Sequence, residues 1–245
     1  MQLAHHSWTD VDEVDTDLAV VPVGSTEQHG PHAPLGTDTL AARAVATAGV
    51  ERFDGDVVVT PALSVGVAEE HRQFTGTLWV TPDTFRSYVR DVVTSLASHG
   101  FDRVVLVNGH GGNVDALGEV AATICRHDDA YAVPFTWFDS VGEDASEMGH
   151  AGPLETSLLL ATHPDLVADD RFEAARDGGS DRWGEWCAGV NLAVDSAEFT
   201  DNGTVGDPTR ASAEWGEELL ERAAVALVTV LEAVDERDDS PPSHR

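Results

Sequence analysis

The chain has 245 residues, 42% of them hydrophobic, which is enough apolar material for a core and excludes wholesale disorder. Its 44 Asp and Glu oppose 14 basic residues, all of them Arg, for a formal charge of −30. That balance repels nucleic-acid backbones and anionic membranes, and it suits a concentrated-salt cytoplasm in which screening shrinks to a few ångströms.

The segments alternate between strand-like and helix-like along the chain. "DLAVVPVGS" (17–25) reads as a buried Val-rich strand, and "TDTLAARAVATAGV" (37–50) as a helix whose opening Thr and Asp have capping chemistry. A second strand is expected in "DVVVTPAL" (56–63). "TPDTFRSYVRDVVTSLASHG" (81–100) is the clearest helix, with Thr81 as cap, Pro82 in its first position and Gly100 as its stop. "DRVVLVNGHGGN" (102–113) is a third strand entering a Gly-rich turn, followed by a helix in "VDALGEVAATIC" (114–125) and a fourth strand in "YAVPFTWF" (131–138). "LETSLLLATH" (154–163) begins another helix, stopped near Pro164, and "ASAEWGEELLERAAVALVTVLEAV" (211–234) makes a long amphipathic one. The order implies an α/β fold, a three-layer α/β/α sandwich around a mostly parallel sheet. One domain is expected over residues 1–234, with "DERDDSPPSHR" (235–245) a disordered polar tail.

Cys125 and Cys187 are too few for a disulfide framework and read as buried free thiols of a reducing cytosol. The N-terminus lacks the basic and apolar regions of a secretory signal, and no apolar stretch reaches membrane-spanning length. Both features point to a cytoplasmic protein.

In parallel sheets, ligands gather beyond the carboxyl ends of the strands. The first strand delivers Glu27 and His29 there, two residues apart and so on one face of an extended chain. The third delivers His110 in "NGHGGN", Asp38 opens the helix after the first strand, and "GHAGPLETS" adds His150 and Glu155. Imidazole and carboxylate donors suit Zn²⁺, Mn²⁺ or Fe²⁺, and a pair of such ions can activate water and polarise a carbonyl. Asp38 is a reasonable bridging ligand. Each motif also has a plainer reading. "NGHGGN" could be a strand-to-helix turn or an anion cradle, although it lacks the Lys and Ser/Thr of a phosphate loop. Ser25 lies outside any G-x-S-x-G elbow, so a serine hydrolase is disfavoured. His32, His71 and His150 could be ordinary polar histidines, and a non-catalytic binder of a metal or small ligand stays open.

"VPVGSTEQHGPHAPLGTD", "EEHRQFTGT", "NGHGGN" and "GHAGPLETS", in that order, resemble the creatininase family of metal-dependent amidohydrolases, with a weaker echo in "GTVGDPTRASAEWGE". The resemblance implies a homo-oligomer, commonly a hexamer, and a small-molecule amide substrate cleaved at a C–N bond. It also implies one or two divalent ions (Zn, Mn or Fe) per subunit. Glu27 and His110 would bind one ion, His29 the other, and Asp38 would bridge them. Creatinine-cleaving members carry a carboxylate two residues after the histidine of the NGH motif, where this chain has Gly112. Glu155 is the expected replacement, counted with both the metal-binding and the catalytic residues, and the change disfavours creatinine as substrate. His150 is the candidate to protonate the leaving nitrogen, while Trp137, His71 and Gln73 could line the pocket. Other family activities remain alternatives: deformylases of archaeal flavin and deazaflavin synthesis, and a peptidase that trims a redox-cofactor precursor.

Overall fold

The computed structural model describes residues 1–238. After a short helix α1 (Trp8–Val11), strand β1 (Leu18–Val23) leads into α2 (Thr37–Val50), then β2 (Val58–Val59), α3 (Pro82–Ala97) and β3 (Arg103–Asn108). Helix α4 (Val114–His127), strand β4 (Tyr131–Thr136), α5 (Pro153–Thr162) and α6 (Phe172–Asp177) follow. A two-strand ribbon of β5 (Trp186–Cys187) and β6 (Val190–Asn191) precedes the long C-terminal helix α7 (Ala213–Asp235). The main sheet has the order β2-β1-β3-β4 and is parallel throughout.

Alternation along the strands builds the three layers. Leu18 and Val20 of β1, with Val105 and Val107 of β3, face a core closed by Ala41 and Val45 of α2, Leu154 and Leu158 of α5, and Leu219, Leu227 and Leu231 of α7. Ala19 and Val21, with Val104 and Leu106, face the opposite core, closed by Phe85, Val89 and Val93 of α3 and by Leu117, Val120 and Ile124 of α4. Pro22 is tolerated inside β1 because its nitrogen, which has no hydrogen to donate, faces the side where the ladder to β2 has already ended, while its carbonyl there accepts from the Leu63 N–H at 2.9 Å.

Several sequence expectations change in detail. The second strand shrinks to Val58–Val59, because Pro61 removes a ladder donor and only an isolated bridge from Val23 to Leu63 continues it. β4 stops at Thr136, and Trp137–Ser140 coils into a 3-10 turn. Helix α2 has Gly36 at its N-cap without a side-chain cap: Thr37 donates instead to the Pro34 carbonyl at 2.7 Å, and Asp38 turns its carboxylate elsewhere. Helix α3 begins as expected, with the Thr81 hydroxyl accepting from the Thr84 N–H and Pro82 in the first turn. Both cysteines are exposed rather than buried. The sequence tail from 235 starts as the last residue of α7, and its residues 239–245 lie outside the described residues.

Candidate metal centre

The exits of β1 and β3 converge on the first turn of α2. A Cβ on Gly109, just past β3, would lie 2.2 Å from the Asp38 carbonyl, so only glycine lets the two segments touch. This contact sets Asp38 between the loop carrying Glu27 and His29 and the loop carrying His110. From the far side, Ala151 takes the left-handed region (φ 52) between His150 and the start of α5, a conformation that costs a non-glycine residue about 1–2 kcal/mol. Its N–H donates to Glu155 Oε2 at 2.6 Å, turning that carboxylate toward the cluster.

The six residues singled out in the sequence do meet. His29 Nε2 lies 3.0 Å from Asp38 Oδ1, and His110 Nδ1 lies 3.2 Å from Asp38 Oδ2, so each Asp38 oxygen faces a different imidazole. Glu27 Oε1 is 3.2 Å from His110 Nδ1, 3.7 Å from His150 Nδ1 and 3.5 Å from His71 Nε2. Glu155 Oε2 closes on His29 Nε2 at 3.9 Å. Glu27 and His29 are fully buried, and Asp38, His110, His150 and Glu155 nearly so.

The hydrogen bonds behind the rings fix what each presents to the centre. His29 Nδ1 faces the Glu27 carbonyl at 3.2 Å, His110 Nε2 the Val67 carbonyl at 2.7 Å, and His150 Nε2 the Gln28 carbonyl at 2.6 Å. A carbonyl only accepts, so each of these nitrogens carries the proton and the other offers a lone pair inward. His71 is reversed. The Gln28 amide oxygen accepts from Gly30 and its nitrogen donates to the Gly203 carbonyl, so the N–H₂ end faces His71 Nδ1 at 2.8 Å. His71 Nδ1 must therefore accept, and its Nε2–H points inward. Three lone-pair imidazoles and one N–H donor result.

Without a metal the neighbouring carboxylates favour a second proton on His29 and His110, which a bound cation would displace to expose the inward lone pairs. Burial lifts the Glu27 carboxyl to about 7, against the pull of His110. Burial opposes charge on His29 and His110, yet Asp38 beside the first and Glu27 and Asp38 beside the second hold both well above an ordinary imidazole. Asp38 resists burial through the same two rings and stays below the usual carboxylate range. Burial, reinforced by the neighbouring imidazoles, keeps His71 neutral down to about 3 and His150 well below its ordinary value.

Both Glu27 oxygens, His29 Nε2 and Asp38 Oδ2 are buried without a hydrogen-bond partner. Orphaned groups of this kind, aimed at one point, are destabilising unless a cation meets them. Glu27, Asp38 and His110 can hold one ion, and His29, His150 and Glu155 another, with donor atoms in each set within 4.8 Å of one another. Glu27, His71 and His150 satisfy the same distance, but the inward N–H of His71 does not suit a ligand. The residues fit a centre for divalent ions.

The centre forms the floor of a cleft of about 740 Å³, walled by Glu70, Met148, Asp181, Arg182, Trp183, Asp207 and Arg210 among others. Trp183 meets His71 and His150 edge-on, with centroids 5.6 and 6.1 Å away. Trp137 and Gln73 do not line it. Trp137 is fully buried in the sheet core, and the Gln73 amide donates to Asp195. His32 stands apart as a neutral buried histidine, its Nε2 2.9 Å from Thr156 Oγ1 and its pKa lowered by burial to about 4. Sequence reasoning missed Glu70, Gln28 and Trp183. The only available signal was the doubled carboxylate of "EEH" before His71.

A buried cluster of imidazoles and carboxylates at the C-terminal edge of a parallel α/β sheet has the chemistry of a hydrolase centre that activates water. Residues 4–231 match the creatininase (creatinine amidohydrolase) family, and the chain belongs to it. It is 40% identical over 210 residues to the mycofactocin precursor peptide peptidase of Mycolicibacterium smegmatis, covering 83% of this chain and 79% of that one. To the creatinine amidohydrolase of Pseudomonas putida it is 30% identical over 249 residues, covering 92% and 91%. A creatininase crystal structure superposes with a TM-score of 0.83 at 26% identity, covering 97% of this chain and 98% of that one. The Zn-Zn form of a mutant creatininase superposes with a TM-score of 0.82 at 27% identity over 96% and 98%.

Proposed function

We propose that this chain is a metal-dependent amidohydrolase that cleaves a C–N bond in a short peptide, as a precursor-processing peptidase does. The observation that carries the metal dependence is the set of orphaned Glu27, His29 and Asp38 atoms converging in a buried site. Two features favour a peptide over creatinine. The cleft of about 740 Å³ is far roomier than a single small ring needs, and the relative at 40% identity is a precursor-peptide peptidase. Gly112, where creatinine-cleaving enzymes carry a carboxylate, points the same way.

Glu27, Asp38 and His110 would hold one ion and His29 and Glu155 the other, with Asp38 shared between them and the lone pair of His150 left for proton transfer. Divalent ions there supply Lewis acidity toward the carbonyl and a water of lowered pKa. Zn, Mn and Fe all suit the donor set, and creatininases exist in Zn-Zn and Mn forms. His150, neutral and with its lone pair turned inward, accepts the proton of the attacking water and then returns it to the leaving nitrogen. The His71 N–H, held by Gln28, donates a hydrogen bond toward the same space. The exposed apolar ribbon of Trp186, Val190, Leu192 and Val194 supports self-association. No helix among the described residues is long and apolar enough to cross a membrane, and the surface charge supports a cytoplasm rich in salt.

The deciding experiment purifies the chain in concentrated KCl, counts metal per chain, strips it with chelator and restores it. Metal-dependent cleavage of short peptides, with little action on creatinine or formamides, is the expected result. Peptide hydrolysis that survives complete metal removal would overturn it.

A further inference from the structure

We propose that Arg182, on the wall of the cleft, binds a carboxylate of the peptide substrate and so selects peptides that carry one close to the scissile bond. The proposal rests on the peptide-hydrolase reading above and adds the chemical class of the substrate.

Two arginines wall the cleft. Arg210 is paired with Glu147 at 2.8 Å. Arg182 is exposed, and its guanidinium has neither a hydrogen bond nor an ion pair among the described residues. In a chain with 44 Asp and Glu, partners abound, yet this cation lines the cleft without one. The carboxylates nearby are engaged or turned elsewhere. Asp207 Oδ1 accepts from the Thr209 N–H at 3.0 Å and from its hydroxyl at 2.6 Å, and Glu70 Oε1 lies 2.9 Å from the Cβ position of Gly112. Even Asp181, the neighbour in sequence, forms no ion pair with Arg182 among the described residues.

The turn that carries Arg182 is anchored to His150. The Ser180 N–H donates to the Thr204 carbonyl at 2.9 Å and the Gly206 N–H to the Ser180 carbonyl at 2.8 Å, while Val205 exchanges two backbone bonds with His150 at 3.0 and 2.7 Å. Ser180 and His150 therefore flank one extended segment, two strand spacings or on the order of 10 Å apart, a span that a few residues of extended peptide cover. The Ser180 hydroxyl donates to the Arg182 carbonyl at 2.8 Å, and the Trp186 indole N–H to the Trp183 carbonyl at 2.7 Å, which fixes the turn. Next to Arg182, the 37% exposed Trp183 packs edge-on against His71, His150 and Phe199. A guanidinium fork matches a carboxylate with two parallel hydrogen bonds, and the aromatic ring beside it takes the apolar part of the same residue. A free cation at this place also offsets the repulsion that a chain of formal charge −30 exerts on an anionic peptide.

The carboxylate can be the peptide's C-terminus or an Asp or Glu side chain, and the test separates the two. Binding is measured on metal-free protein in concentrated KCl at neutral pH, where no ion competes for the carboxylate. N-acetyl-Ala-Phe, its amide and N-acetyl-Asp-Phe amide are titrated by calorimetry into wild type, R182Q, R182K and R43Q. Arg43 is exposed on α2 and does not line the cleft, so it controls for the lost charge. Wild type and R43Q are expected to bind one of the two acids at least about five-fold more tightly than the neutral amide, R182Q to bind all three alike, and R182K to fall between. Preference for N-acetyl-Ala-Phe identifies the terminal carboxylate, and preference for the Asp peptide the side chain. On metal-loaded protein the same preference should appear in the KM of cleaved peptides, with kcat little changed. Wild type treating acids and amide alike in both measurements, or a preference that survives in R182Q, would overturn the role of Arg182. Acid-selective binding without metal-dependent cleavage of any peptide would overturn the hydrolase reading and leave Arg182 in place.

Discussion

Replacing Gly112 by alanine tests whether that glycine is a clearance or merely a gap. The added Cβ would meet the Val67 carbonyl oxygen at 2.3 Å, about 1.1 Å inside the 3.4 Å of ordinary contact (3.4 − 2.3). A backbone oxygen cannot swing aside as a side chain can, so residues 67–71 must move as a piece. That movement acts on the 2.7 Å bond between His110 Nε2 and Val67, and it displaces Glu70 and His71 with it. Overpacking of this size destabilises by roughly 1–3 kcal/mol, and weakening a buried hydrogen bond adds about 1 kcal/mol. The expected loss is about 2–4 kcal/mol in urea unfolding of the metal-free protein, accompanied by weaker metal uptake. Gly118 provides the contrast, because nothing lies within 4 Å of its Cβ position in α4. There alanine should stabilise by about 0.5–1 kcal/mol through helix propensity and a less flexible unfolded chain. If G112A and G118A unfold alike and bind metal alike, the close approach at position 112 has no energetic consequence and the reasoning fails.

Glu27→Gln should make the metal-free protein more stable at pH 8 while abolishing tight metal binding. The Glu27 carboxyl is raised from 4.5 to about 7 in the fold, so its charge destabilises the native state by on the order of 3 kcal/mol above pH 7. The penalty is absent below pH 4.5, where both states are protonated, and grows as pH rises to about 7; melts showing the same E27Q effect at pH 4 and pH 8 would refute it. Gly216→Ala drives a Cβ to within 1.9 Å of the Ser157 carbonyl where α7 crosses α5, and should lower stability by at least about 2 kcal/mol in denaturant titration. With a formal charge of −30, the melting temperature should climb steeply between about 0.1 and 2 M KCl as screening shortens, and a flat profile would remove the case for salt adaptation.

The layered fold was legible because the strands are short apolar runs and the helices carry their own start and stop residues. Thr81, Pro82 and the stripe of Phe85, Val89 and Val93 specify α3 almost unaided. The extent of β2 was not legible, since Val57 to Leu63 has strand composition throughout and only the position of Pro61 against β1 ends the ladder. Of the site, Glu27, His29, Asp38, His110, His150 and Glu155 could be read because all follow strands or open helices on one sheet edge. Trp137 was misplaced by the same rule: it follows β4 by one residue, but the 3-10 turn rotates it into the core. Gln28 was invisible for another reason: its importance lies in which end of its amide is turned inward, which leaves no pattern in the chain.

The roles of Gln28 and Val67 show how far the centre depends on atoms that touch no ion. An imidazole in a buried site can be a ligand or a donor, and the choice is made by the partner on its far side. Carbonyls behind His29, His110 and His150 turn three lone pairs inward, and one amide N–H₂ behind His71 turns a proton inward. Gln28 serves both kinds, since its backbone carbonyl accepts from His150 while its side chain donates to His71. One residue therefore sets the tautomers of the two rings that stack 4.4 Å apart beside Glu27, and it keeps their proton inventories opposite. A site arranged this way can accept a proton at one ring and offer a hydrogen bond from the next without either ring becoming charged at rest. That division of labour is what amide hydrolysis requires, because the attacking water loses a proton before the leaving nitrogen gains one.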